Sequence, residues 1–296
     1  MSSILITGAT GNVGLEVIRY LYQIDASNRI VAGVRNIEKA KKFFSDFPKL
    51  ELVHFDFEDP DTFDNALSGI DRVFLLRPPH ISDVDKIFRP LIASIKHNSI
   101  NEIIFLSVQG AEKSKIIPHN KIERLIIEFG LDHIFLRPSY FMQNLTTTLI
   151  GDIKTKREIV LPSGKAKFNW VDIENIGEAA AILLEKFPDY KNQPYEITGY
   201  ENLSFAQVTS QINRIIDNPI LYRSVNPLKF LLIKKREGMG KGLIMVMILL
   251  HFLPRFQKEP KISNFFEQLM GKKPTDLATF IKREKVQFEK QPVIKP

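Results

Sequence analysis

Ile4-Leu5-Ile6-Thr7-Gly8-Ala9-Thr10-Gly11-Asn12-Val13-Gly14 opens the chain with an apolar run ending in three glycines spaced Gly-x-x-Gly-x-x-Gly. The run has the character of a buried strand. The helical spacing of Val13, Val17, Ile18 and Leu21 begins at once, so the glycines occupy a strand-to-helix turn. Gly8 permits a tight bend, Gly11 leaves room for an anion against the backbone, and Gly14 lets the helix approach the strand. A helix over residues 12–23 directs its free N–H groups and positive dipole end at the same point. The turn suits the pyrophosphate of a dinucleotide.

Beyond this turn the alternation repeats. Strands are expected at 29–35, 50–55, 71–76, 102–107 and 131–136, with helical segments between them, one starting near Ser82 and carrying Pro90 as a kink. Such an order predicts an α/β fold, a Rossmann-type doubly wound parallel sheet with right-handed crossovers. Ligands of these sheets lie beyond the carboxyl ends of the strands, near the switch in strand order. That rim collects Gly8 to Val13 (with Thr10, Gly11 and Asn12), then Arg35, then Leu76 to Pro79 (with Arg77 and Pro78), then Ser107 to Gly110, and finally Arg137 to Phe141 (with Pro138 and Tyr140).

After the sixth strand the pattern loosens. The expectations are a helix at 146–156, a strand and turn at 158–164, a helix from Asp172 to near Phe187, and a late strand at 195–198. Ser204-Phe205-Ala206-Gln207 has capping-box spacing before a helix that turns Val208, Ile212, Ile215 and Ile216 inward. The predicted organisation is a Rossmann domain over residues 1–200, with 140–170 contributing to a second lobe, and a smaller, mostly helical substrate lobe over 201–296. The apolar stretch 239–256 is open to three readings: a substrate wall, a dimer surface or a buried helix.

The second strand decides between dinucleotides. In NAD sites it commonly ends in an acid that accepts from the adenosine ribose. Here it ends in Arg35, and the first acid is Glu38. A guanidinium there matches a 2′-phosphate and leaves an NAD ribose without its acceptor, so NADP(H) is expected over NAD(H). After the third strand, Asp56 could reach the adenine amino group and Phe57 could pack on its ring, while Asp59 caps the helix beginning at Pro60.

Bulk composition removes other classes. Zero Cys among 296 residues excludes disulfides, thiol nucleophiles and cysteine metal sites. The six His show no metal-ligand spacing, and no metal is expected. The short apolar opening lacks the basic leader of a secretory signal, and no apolar run reaches the roughly 20 residues of a membrane span. A cytoplasmic protein is expected. Its net charge of +7 is uneven: residues 201–296 hold 17 Lys or Arg against 8 Asp or Glu, and residues 1–200 hold 24 against 26. That basic third is either a solvated lysine-rich surface or a rim that attracts an anionic ligand or partner. No recognised nucleic-acid motif accompanies it, so no nucleic-acid partner is expected.

The motifs together resemble the NmrA-like branch of the atypical short-chain dehydrogenases/reductases, over nearly the whole chain. The residues that carry the resemblance are Ile6-Thr7-Gly8-Ala9-Thr10-Gly11-Asn12-Val13-Gly14, Val34-Arg35, Phe105-Leu106-Ser107, His119-Asn120-Lys121-Ile122-Glu123 and Leu136-Arg137-Pro138-Ser139-Tyr140-Phe141-Met142-Gln143-Asn144. Trp170-Val171-Asp172-Ile173 and Gly271-Lys272-Lys273-Pro274 agree with it. Members include NADPH-dependent quinone reductases, triphenylmethane-dye reductases and redox-sensing regulators. In the wider superfamily a Tyr four residues before a Lys gives or takes the substrate proton, and the Lys lowers its pKa and binds the nicotinamide ribose. The resemblance places Lys121 at the Lys and Ser107 at the serine ending the fifth strand, but Ile117 stands in the Tyr position.

Hydride transfer needs a cofactor to supply the hydride and a protein to position both reactants. Without the Tyr, the resemblance implies an activated, aromatic small-molecule acceptor such as a quinone, dye or iminium. Tyr140 and His119 are the candidate replacement donors. His119, with an ordinary pKa near 6.5, could donate at neutral pH, or it is simply a histidine of a loop or helix start. Tyr140 could instead be an aromatic shelf or a core residue. Ser107 could hold the substrate or bond its own backbone, and Glu123 could pair with a lysine of its own helix and do nothing chemical. Two functions follow: an NADPH-dependent reductase, or a non-catalytic NAD(P)(H)-binding redox sensor acting through a protein partner. A homodimer is open in either case.

Overall fold

The central strands bury both faces, which requires helices on both sides. In the computed structural model, which describes residues 2–24 and 27–289, Leu5, Val31, Val73, Ile103, Phe105 and Phe135 point into one apolar cluster. The alternate residues Ile4, Ile6, Ile30, Ala32, Phe74, Ile104 and Ile134 are equally buried. Near-continuous apolar strands of this kind belong to a covered parallel sheet rather than a half-solvated antiparallel one.

The first part of the chain runs β1 (Ser3–Ile6), α1 (Asn12–Ile24), β2 (Arg29–Val34), α2 (Ile37–Phe43), β3 (Glu51–His54), α3 (Phe63–Leu67), β4 (Arg72–Leu76), α4 (Val84–His97), β5 (Glu102–Leu106), α5 (Pro118–Glu128) and β6 (Asp132–Pro138). Then follow β7 (Tyr140–Phe141), α6 (Ile150–Lys156), β8 (Glu158–Leu161), β9 (Lys167–Val171), α7 (Ile173–Glu185), α8 (Phe187–Tyr190) and β10 (Gln193–Ile197). The last third begins with β11 (Asn202–Ser204), α9 (Phe205–Asn213), β12 (Leu221–Ser224), α10 (Pro227–Arg236) and α11 (Lys241–Phe252), and further short helices follow.

The described residues form two compact units. One holds residues up to 138 with 173–197 and 268–270; the other holds 139–172, 198–267 and the residues from 271. In the first, seven strands lie in the order β10-β6-β5-β4-β1-β2-β3, all parallel. This is the doubly wound α/β sheet the alternation implies. The order reverses between β1 and β4, where Ile4 pairs with both Ile30 and Arg72. Phe63, Phe88, Ile95, Ile122 and Ile126, from α3, α4 and α5, fill the cluster on one face. Helices α1 and α7 pack on each other closely enough that a Cβ at Gly177 would meet Glu16 Cβ at 2.4 Å.

In the second unit a three-stranded sheet (β11-β9-β7) and a parallel pair (β12-β8) surround a core of Trp170, Phe205, Phe230 and Phe280. Trp170 Nε1 donates to the Leu203 carbonyl at 2.9 Å, so the largest buried ring has its polar atom satisfied. The capping box at α9 is complete: Ser204 Oγ accepts from Gln207 N, and Gln207 Oε1 accepts from Ser204 N at 2.9 Å.

Several boundaries differ from the sequence reading. Asp83 caps α4 through Lys86 N, so that helix starts at Val84 and not at Ser82. The helix expected at 146–156 begins only at Ile150, because a 3₁₀ turn occupies Met142–Leu145. The helix expected to run to Phe187 ends at Glu185, and Phe187 opens the separate short α8. Ile215 and Ile216 lie beyond the end of α9; Ile216 is buried and Ile215 only half so. The late strand is β10, and it extends the main sheet by pairing Ile197 with Pro138. The strand β12, where helix was expected, exists because β8 offers it a parallel partner. Among the described residues no helix is long and apolar enough to cross a membrane.

Candidate functional site

The β1–α1 turn has the geometry that its glycines demand. Gly8 adopts φ +59°, a left-handed conformation, and its carbonyl accepts from Gly11 N at 2.9 Å. A Cβ at Gly14 would stand 2.5 Å from the Gly8 oxygen and 2.9 Å from Ala9 Cα, both backbone, so neither side could yield. A Cβ at Gly8 would meet Leu76 at 2.6 Å, which places the turn against the end of β4. Thr7 makes the same connection: its N and Oγ1 both donate to the Phe74 carbonyl, and Leu76 N donates to Thr7 Oγ1 at 3.1 Å. Thr10, Gly11 and Asn12 are exposed, Val13 is buried beneath them, and the first turn of α1 holds no acidic side chain. An α-helix leaves its first N–H groups without partners inside the helix. Here they sit beside an open glycine surface at the switch point of the sheet, the arrangement that receives a diphosphate.

Arg35 follows β2 and is exposed, with no carboxylate partner among the described residues. After β3, Asp56 is half-buried and Oδ1 accepts from Glu58 N at 3.0 Å, while Thr62 holds its backbone. Phe57 is packed against Phe55 and Phe88, so it supports this loop from within the core. Asp59 caps the turn at Pro60, accepting from Asp61 N. After β4, Leu76 and Pro78 are half-buried. Arg77 folds back on its own loop, donating to the carbonyls of Pro78 (3.1 Å), Pro79 (3.2 Å) and Ile81.

The ends of β5 and β6 meet in a buried polar network. Ser107, only 2% exposed, donates to Glu123 Oε1 at 2.6 Å. Arg137 grips the same carboxylate through Nε at 2.9 Å and Nη2 at 2.6 Å, and it reaches Glu112 through Nη1 at 2.9 Å. Glu123 therefore pairs with an arginine fourteen residues away, not with a lysine of its own helix. A cation closing an apolar strand needs a buried acid, and that was the one signal in the sequence that pointed here. Next to it, Gln109 N donates to the Pro138 carbonyl and Gln109 Nε2 to Glu196 at 3.0 Å, so the loop after β5 is held from two strands.

Helix α5 carries the remaining candidates. Ile117 is its N-cap and offers no side-chain bond, and Lys121, its fourth residue, is exposed. The His119 ring lies 6.1 Å from that of Phe105. Burial, and secondarily the nearby Arg77 guanidinium, pull its pKa down to about 3. The imidazole is therefore neutral at physiological pH, and the cationic donor considered from its ordinary pKa is not formed. Asn120 is buried, and its Oδ1 has no hydrogen-bond partner among the described residues, a feature no sequence pattern indicated. An unpaired buried acceptor of this kind costs about 1–3 kcal/mol.

Tyr140 and Phe141 belong to the second unit. Tyr140 packs among Phe168, Trp170 and Phe205, and its hydroxyl lies 3.0 Å from His251 Nε2. His251 Nδ1 lies 2.7 Å from the Met247 carbonyl, which can only accept. Nδ1 therefore carries the hydrogen, Nε2 accepts, and the Tyr140 hydroxyl donates. Burial raises the Tyr140 pKa above its ordinary value and lowers that of His251 to about 4. His251 was not among the residues singled out from sequence. Among the described residues no group of acids and histidines could hold a metal ion.

Both the sequence and the fold have counterparts among known proteins. The sequence profile of the NmrA-like family matches residues 1–281. Prestalk A differentiation protein A of Dictyostelium discoideum is 28% identical over 281 residues, covering 95% of this chain and 91% of that protein. NAD(P)H azoreductase of Xenophilus azovorans is 29% identical over 226 residues, covering 75% and 77%. The fold matches that of the NADPH complex of an NADPH-dependent quinone oxidoreductase from Escherichia coli. There the TM-score is 0.85 at 21% identity, with 95% of this chain and 99% of the other covered. With a family profile spanning nearly its whole length and a sheet of the same architecture, the chain belongs to the NmrA-like family.

Proposed function

We propose that the chain is an NADPH-dependent oxidoreductase that passes hydride to an activated, electron-poor acceptor of the quinone, azo-dye or imine type. Residues 8–14 fit the cofactor's diphosphate, because a Cβ at Gly14 would collide with the turn's own backbone and Gly11 is exposed. Arg35, exposed and without a carboxylate, suits the 2′-phosphate that distinguishes NADPH from NADH. Lys121, through its family position, is assigned to the nicotinamide ribose. When bound, the nicotinamide supplies the hydride.

The observation that carries the choice of acceptor is that the first unit's candidate acids are all occupied or unsuited. Ser107 donates to Glu123, the imidazole of His119 is neutral, and Ile117 has no proton to give. An unactivated ketone requires an acid to protonate the developing alkoxide. A quinone accepts hydride without one and takes its proton from water, so the balance closes as quinone plus hydride plus proton to hydroquinone. The azoreductase among the relatives, by its name, acts on azo compounds, an acceptor class of the same electron-poor kind.

The test follows NADPH absorbance with benzoquinones, azo dyes, imines and simple ketones as acceptors. Turnover confined to the first three supports the reading. Tight NADPH binding with no turnover on any of them would overturn it in favour of a sensor.

A further inference from the structure

Helices α10 and α11 form a hairpin in the second unit, and α11 is apolar all round. Ile244, Met247, Ile248 and His251 recur at helical spacing and are buried. On the other side, Met245, Val246, Leu249, Leu250 and Leu253 are between 43% and 57% exposed. Phe256 just beyond, at 73%, and Leu228 on α10, at 76%, extend the surface. A solvated helix ordinarily turns polar residues outward, so this face is built for something other than water.

Charge selects the occupant. Lys229, Lys235, Arg236 and Lys241, on the same two helices, are exposed, with no carboxylate partner among the described residues. Arg255 lies over the Phe252 ring at 5.2 Å. Glu237, the one acid between residues 227 and 258, is already bonded to Lys234 and Lys156. A second copy docked face to face would bring these cations against their own counterparts. An anionic lipid surface accepts both components: acyl chains meet the apolar side chains, and headgroup phosphates meet the lysines and arginines. At 12 residues, α11 is too short to span a bilayer and suited to lying on one.

We propose that the α10–α11 face docks on an anionic phospholipid bilayer, lying in the interfacial plane. The inference stands independently of the redox reading, since its test needs neither cofactor nor acceptor. The full chain is mixed with large unilamellar vesicles of phosphatidylcholine, with or without phosphatidylglycerol, and pelleted. It is expected to pellet with the anionic vesicles and to stay largely in solution with the neutral ones. Val246→Asp with Leu250→Asp, both at exposed positions, should lower the partition about tenfold or more at an unchanged unfolding midpoint. Lys235→Gln with Arg236→Gln should lower it roughly thirtyfold at low salt. No pelleting with either vesicle, or equal pelleting with both, overturns the proposal. So does a lipid-free dimer in sedimentation velocity that Val246→Asp with Leu250→Asp dissociates, because the face would then belong to a second copy.

Discussion

Replacing Glu123 by alanine strands a buried guanidinium. In the intact protein the Arg137 side chain is 10% exposed and that of Glu123 5%. The carboxylate takes two bonds from Arg137, at 2.9 and 2.6 Å, and a third from Ser107 at 2.6 Å. Glu112 stays on Nη1 but is 44% exposed, and it bonds neither Nε nor Nη2. Removing one partner of a buried pair costs about 3–5 kcal/mol, because the surviving charge is left desolvated and uncompensated. Against a total stability on the order of 5–15 kcal/mol this is a large fraction. At roughly 2–4 °C per kcal/mol for a chain somewhat shorter than this one, the midpoint should fall by about 6–20 °C. Thermal unfolding followed by circular dichroism measures the shift, and urea unfolding measures the free-energy loss. Glu123→Gln, which retains an acceptor for Ser107 and Arg137, should lose less. Glu123→Leu with Arg137→Met should recover much of the loss, since apolar replacement of a whole buried pair is often close to neutral. A loss below about 1 kcal/mol for Glu123→Ala, or a double variant as unstable as the sum of its singles, would refute the role given to this pair.

Arg35→Asp should weaken NADPH by roughly 10- to 100-fold while affecting NADH little, because it removes a charge-assisted phosphate contact and restores a ribose acceptor; equal losses in titrations of both nucleotides would refute Arg35 as the discriminator. Gly14→Ala places a methyl 2.5 Å from the Gly8 oxygen, so stability should drop by about 1–3 kcal/mol and the thermal shift produced by NADPH should shrink. Retention of both would show that the turn can open. His119 is pulled down to about 3 in the folded chain from an unfolded value near 6.5, so between those pH values the unfolded chain binds a proton that the folded chain does not. Stability should therefore fall as pH is lowered through that window. His119→Gln should reduce the slope without abolishing it, since His251, at about 4, contributes in the same direction; an unchanged slope would contradict the burial of His119.

What was legible from the residues was local. The glycines at 8, 11 and 14 announce a strand-to-helix turn because only Gly tolerates the positive φ and the backbone contacts found there. The central strands of the main sheet were visible because burial on both faces makes them nearly continuous apolar runs. The Ser204 capping box and the Asp59 cap were readable for a similar reason: side chain and backbone partners lie within three residues of each other. Long-range pairing was not legible. Glu123 looked like a helix-surface acid until β6 set Arg137 beside it, and the strand β10 carried no sign that its partner would be β6. His119 has the same sequence whether exposed or buried. Its neutrality comes from burial and, secondarily, from Arg77, which no spacing reveals.

The sequence by itself determined the class of sheet, the position of the phosphate turn and the cation at the end of β2, since each depends on residue type and near neighbours. Only the tertiary structure decided what those groups can do. It turned the Ser107 hydroxyl toward Glu123, set Tyr140 against His251, and left Arg35 exposed. Proton donation and ligand recognition depend on which polar atoms remain unpaired after folding, and that is a property of contacts between residues far apart in the chain.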